Sequence, residues 1–144
     1  MEDIRVAVVR ELDAPVDAVW AVVSDFGNVS WAMPGARVDV IGEGVGMIRR
    51  MHMPDGSSVD EVLESRDADA RTFSYAIPGQ MPMPVADFRG WVELEPIAAG
   101  RTRVAWNASG TALPGLTGAE GQALFEGLYG NLLDSLTAHM AQVA

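Results

Sequence analysis

The strongest constraint on this chain is a run of strand-patterned segments with only short connections between most of them. They cover Ala36–Glu43, Gly46–Met53, Ser57–Ser65, Arg71–Ile77, Val85–Glu95 and Arg101–Ala112. An earlier one starts where Ile4, Val6 and Val8 alternate with Arg5 and Ala7, and it runs to about Leu12. Turn chemistry separates neighbours at Gly42, Gly44 and Gly46, at Pro54, Asp55 and Gly56, and at Pro96–Gly100. The prolines of the PGQMPMP segment, Pro78–Pro84, lack the ladder donor and keep it out of a sheet. Short turns join antiparallel neighbours, and a sheet of this many strands curls. Its concave face then needs a cover.

One element is long enough to supply it. Thr117 followed by Glu120 reads as a capping box, and Leu124, Phe125, Leu128, Tyr129, Leu132, Leu133, Leu136 and Met140 recur at three- and four-residue spacing. A helix is expected over Thr117–Met140. Gly121, Gly127 and Gly130 interrupt it, each at a cost of about 1 kcal/mol relative to Ala. They serve either close contact with the sheet or room for a ligand. Near the other end, Pro15 suits a first helical position, and Val16, Val19, Trp20 and Val23 form one stripe before Asp25 and Gly27 end it. A second short helix is expected over Asn28–Ala32.

At 144 residues the chain is read as one domain, 1–144, with a full core. No apolar run approaches the roughly 20 residues that span a bilayer, so no membrane insertion is expected. The first residues, MEDIRVAVV, are acidic and lack the features of a secretory signal, which makes a cytoplasmic location the expectation. Zero cysteines and two histidines leave little to bind a metal, and no cofactor is expected. A net charge of −10 repels nucleic acid and anionic surfaces, so a small neutral or weakly charged partner fits best. A homodimer is left open.

The segments VWAVVSDFGNVSWAMPG, GMIRRM, VDEVLESRDADARTFSYAI, PMPVADFRGWVEL, RVAW and LFEGLYGNLLDSL resemble the START-like or Bet v 1-like (SRPBCC) superfamily. Its members include bacterial polyketide cyclase/dehydrase-type proteins and plant abscisic-acid receptors. The resemblance runs nearly end to end and implies an α+β helix-grip fold. In that fold a curved seven-stranded antiparallel sheet wraps around the C-terminal helix, with two short helices after strand 1. It also implies a central cavity entered near Pro54–Ser57 and Pro78–Pro84. Pro54–Ser57 is shorter than the receptors' gating loop, so their hormone switch is not carried over.

Strand parity nominates a lining: Met51 and Met53, Val59, Glu61 and Leu63, Phe73, Tyr75 and Ile77, and Phe88, Gly90, Val92 and Leu94 share inward faces. The receptor pattern puts a pocket carboxylate at Glu61. It also puts Asn107 in the cavity, which leaves Trp106 outside near Trp91. Trp31 falls at the mouth, and Leu124, Leu128 and Leu132 form the ligand-facing line of the helix. The methionine-rich loop Met81–Met83 suits a lid. Glu61 is either a general acid/base or the partner of a salt bridge with Arg49 on an adjacent strand. Tyr75 and Asn107 either orient a ligand oxygen or bond to backbone, and the methionines are either an adaptable lining or core. His52 and His139 read as surface residues.

The expectation is a protein that binds a small hydrophobic or aromatic molecule, lipid- or polyketide-like. The alternative is a cyclase or dehydratase using Glu61 as general acid/base. An accessory role through exposed tryptophans ranks third.

Overall fold

The computed structural model describes residues 2–143. Its elements are β1 (Glu2–Leu12), α1 (Val16–Val23), β2 (Val38–Ile41), β3 (Ile48–His52), β4 (Ser58–Asp67), β5 (Thr72–Ala76), β6 (Val85–Ala98), β7 (Arg101–Ala112) and α2 (Gly118–Val143). All seven strands form one sheet in the order β1-β7-β6-β5-β4-β3-β2, and every pairing is antiparallel. Hairpins account for every neighbour except β1, which pairs with β7 from Glu2↔Ala112 to Leu12↔Thr102. The first strand thus extends the sheet beyond the last, leaving β1 and β2 as the two edges of the curved half-barrel that α2 fills. This is the helix-grip fold the sequence resembles.

The strands sit where alternation and turn residues put them. Gly42, Gly44 and Gly46 all have positive φ in the β2–β3 connection, a backbone that side-chain-bearing residues rarely adopt. In β6, a bulge between Ala86 and Arg89 places Asp87 at φ 54 and lets Val85 and Phe88, three residues apart, both face inward. Phe88, Gly90, Val92 and Leu94 then keep the expected parity.

The capping box forms as read, with the Glu120 amide donating to Thr117 Oγ1 at 3.0 Å and the Thr117 amide donating to Glu120 Oε1 at 3.0 Å. The second short helix expected over Asn28–Ala32 does not form. Residues 25–35 run as turns, with the Ala32 and Met33 amides both on the Val29 carbonyl. The Asn28 side chain accepts from the Ser30 amide and hydroxyl, and Pro34 prevents a helix from propagating.

Two expectations of facing are corrected. In β7 the buried inward set is Thr102, Val104, Trp106, Ala108 and Ala112. Trp106 is 2% exposed beneath α2, so it lies inside the half-barrel and not beside Trp91. Asn107 points to the opposite face, where its amide nitrogen donates to the Trp91 carbonyl at 3.1 Å and to Glu93 Oε1 at 3.2 Å. In α2 the buried residues are Gly118, Gly121, Phe125, Tyr129, Leu133, Leu136 and Met140, whereas Leu124 and Leu128 are 39% and 47% exposed. The most buried ridge therefore runs through Phe125, Tyr129 and Leu133, beside the expected line, and Leu124 is the residue of that line that faces away. Gly121 supplies the reason: a Cβ there would stand 2.4 Å from Ile4 Cδ1 of β1. A side chain at this position would have to displace the buried Ile4 where α2 lands on the sheet.

Candidate functional site

Between the concave face and α2 lies a cavity of about 300 Å³, a volume at the small end of ligand sites. Its floor comes from the inward faces of β3, β4, β5, β6 and β7, and its roof from Phe125, Leu128, Tyr129 and Leu132 of α2. Val29, Trp31, Ala32 and Met33 of the loop after α1 close one side, and Met81, Pro82 and Met83 of the proline-rich loop reach in from another.

Of the residues nominated from sequence, Trp31, Met51, Met53, Val59, Glu61, Tyr75, Phe88, Leu128 and Leu132 line this space. Leu63 and Phe73 do not. Each is 2% exposed and packs into the core deeper under the helix, where Phe73 meets Trp20, Phe26 and Trp106. Asn107 lies on the outer face and Leu124 outside the lining. Arg49, Trp106, Phe125 and Tyr129 complete the cavity and were missed as ligand-facing positions. Trp106 and Phe125 were legible as apolar residues in amphipathic elements. What misled was the phase assigned to each element.

The polar groups gather at one end. Register places Arg49 directly opposite Glu61, and Arg49 Nε donates to Glu61 Oε1 at 2.6 Å with both side chains buried. The guanidinium lies 4.0 Å over the Phe26 ring and donates through Nη1 to the Phe26 carbonyl at 3.1 Å, which ties the β3–β4 floor to the loop after α1. Among the described residues Glu61 Oε2 accepts no hydrogen bond. The salt bridge weighed against a chemical role for Glu61 is therefore formed, and it uses one of the two carboxylate oxygens.

Tyr75 lies against the bare backbone of Gly90, where a Cβ would come within 2.4 Å of its ring. Trp106 Nε1 donates to Tyr75 Oη at 3.0 Å, and Tyr129 Oη stands 3.5 Å from the same oxygen. Burial, and after it the negative charge of Glu61, pushes the Tyr75 phenol up to about 12. Burial and the neighbouring Tyr75 push Tyr129 well above its ordinary value too. Both hydroxyls are thus kept as neutral donors at physiological pH.

His52 bonds Asp39 at 2.8 Å on the outer face of β2 and β3, away from this end. Trp20, Trp31 and Trp91 are half-buried and Trp106 is buried.

A curved antiparallel sheet gripping a long C-terminal helix defines the helix-grip class of proteins. The chain belongs to the family described as polyketide cyclase / dehydrase and lipid transport, whose profile matches residues 3–141. Among solved structures, an uncharacterised protein from Bacillus thuringiensis superposes with a TM-score of 0.84 at 21% identity, covering 95% of this chain and 98% of that one. Norcoclaurine synthase from Thalictrum flavum, solved with dopamine and hydroxybenzaldehyde, gives a TM-score of 0.81 at 17% identity, with 98% and 88% covered. The Zhui aromatase/cyclase from Streptomyces sp. R1128 gives 0.79 at 19% identity, with 98% and 95% covered. At these identities the likeness is one of fold. No curated protein matches. No helix among the described residues is long and apolar enough to cross a membrane.

Proposed function

We propose that this protein binds a small, largely apolar, aromatic molecule in the cavity under α2, with the polar part of the ligand toward Glu61, Arg49, Tyr75 and Tyr129. The observation that carries this is the segregation of the lining. Aromatic and methionine side chains form most of the wall, and the few polar groups converge at one end. Methionines on β3 and on the proline-rich loop suit ligands of varied outline, because the unbranched thioether adapts its rotamer. The family's description as cyclase, dehydrase and lipid transport is consistent with such a ligand.

Denaturing mass spectrometry of extracts from the purified protein tests the proposal, together with thermal stability across a panel of hydrophobic aromatics. A co-purifying molecule, or an upward shift of Tm that grows with ligand concentration, is expected. Absence of both sinks it.

A second reading is favoured by one feature, the Glu61 oxygen that takes no protein hydrogen bond inside an apolar cavity. A carboxylate so placed can move a proton at an enolisable carbon, with a tyrosine hydroxyl steadying the oxyanion. Glu61→Gln should then remove turnover and retain ligand binding. Turnover that survives the substitution takes Glu61 out of the chemistry.

A further inference from the structure

The two tyrosines of this chain, far apart in sequence, meet in the cavity with their hydroxyl oxygens 3.5 Å apart. That is long for an O–H···O bond, whose usual separation is about 2.7–2.8 Å. Two donors at this spacing can instead share a single acceptor, since one oxygen fits about 2.8 Å from both. The proton inventory points the same way. An indole nitrogen only donates, so Trp106 occupies a lone pair of Tyr75 and cannot accept the Tyr75 proton. Neither hydroxyl has any other hydrogen-bond partner among the described residues. Two phenolic protons are therefore present, and at most one is used by the strained contact between them. At least one is left to donate toward the cavity.

We infer that Tyr75 and Tyr129 form a two-pronged donor site for one oxygen of the ligand, a carbonyl or an oxyanion, with Trp106 as the positioning residue that aims the Tyr75 hydroxyl. It rests on the proposal that the cavity binds an aromatic molecule, and it specifies the ligand as an aryl ketone, aldehyde or related acceptor-bearing compound. Gly90 is part of the device, because any side chain there would push the Tyr75 ring out of line.

The test uses two probes of nearly equal shape, 2-acetonaphthone and its hydrocarbon isostere 2-isopropenylnaphthalene. Calorimetric titration of the intact protein should show the ketone binding about tenfold tighter, the worth of roughly one net hydrogen bond. Infrared spectra should show the bound carbonyl band moved to lower frequency. Tyr129→Phe and Tyr75→Phe should each erase much of the preference of the ketone over the hydrocarbon and return part of the band shift. Trp106→Phe should broaden the bound carbonyl band as Tyr75 loses its fixed direction. If both probes bind wild-type protein equally, or the carbonyl band does not move, the donor site is overturned and the binding proposal stands. Retention of the full preference in both tyrosine variants overturns it likewise. If neither probe binds, the donor site for an aryl ketone is overturned, and the binding proposal stands or falls on the extract and ligand panel above. The wild-type comparison decides the matter even if a variant fails to fold.

Discussion

At the scale of single residues, the ion pair Arg49–Glu61 sets the tone of the cavity. Two charges buried at 2.6 Å offset each other's desolvation only while both are present. Arg49→Met should therefore cost about 3–5 kcal/mol by leaving the Glu61 carboxylate uncompensated. In a chain of this size that lowers Tm by on the order of 10 °C. Adding Glu61→Leu should recover most of the loss, since an apolar pair of similar volume suits the surrounding Phe26 and Tyr75 rings. If the pair is kept for ligand recognition, the double variant will be stable in a thermal melt and blind to ligand in a titration. A double variant that binds like wild type would make the pair structural only. Glu61 was legible in sequence through strand parity, and so was its partner one strand away. That the pair forms depends on the β3–β4 register, Arg49↔Glu61, which no local pattern reports.

At the scale of elements, the glycines of α2 divide by what they face. Gly121 touches Ile4 and Gly118 sits against the Asp3 carbonyl, so the first turns of the helix are docked on β1 by absent side chains. Gly127 meets nothing within 4 Å, and Gly130 approaches only the end of Arg10 at 3.7 Å. None of these glycines makes room for a ligand. Gly121→Ala should destabilise by about 1–3 kcal/mol through overpacking on a buried isoleucine, whereas Gly127→Ala should stabilise by about 0.4–1 kcal/mol through the unfolded chain. Denaturant midpoints at constant m-value measure both, and equal effects at the two positions would contradict the docking role. The same contact explains which side of the helix is buried. Once Gly121 is on Ile4, Phe125, Tyr129, Leu133, Leu136 and Met140 follow at helical spacing onto the buried face, Leu128 and Leu132 border the cavity, and Leu124 turns outward.

At the scale of the whole molecule, stability and pH are linked through the two tyrosines. In the folded protein the Tyr75 phenol is raised from its ordinary 10.0 to about 12, and Tyr129 is raised as well. Between about pH 10 and 12 the unfolded chain binds fewer protons than the folded one, so stability falls as pH rises through this window. Below about pH 10 the contribution is fully present. Because the chain has two tyrosines and both lie in the cavity, tyrosinate absorbance should stay flat above pH 10 until the protein unfolds. Early, reversible ionisation of either phenol would show that the cavity is open to water and that the donor site is not held.

The sequence by itself determined the inventory: seven strands, the antiparallel succession of the six joined by short turns, the capped C-terminal helix, and the inward faces of β4, β5 and β6. Those follow from alternation, turn residues and a capping box, which are local and act over a few residues. Tertiary structure decided phase and partnership. The apolar residues of α2 cover so wide an arc that periodicity leaves the buried face open, and the Gly121–Ile4 contact selects it. In β7 side-chain type favours Val104, Trp106 and Ala108 as the inward set over Ala105, Asn107 and Ser109, and it was the receptor pattern that put Asn107 inward. The β1 and β6 pairings turn Trp106 onto Tyr75 and send Asn107 to the Trp91 carbonyl. The convergence of Arg49, Glu61, Tyr75, Trp106 and Tyr129 is non-local. It exists because the sheet curls around the helix and brings distant segments to one end of a single cavity.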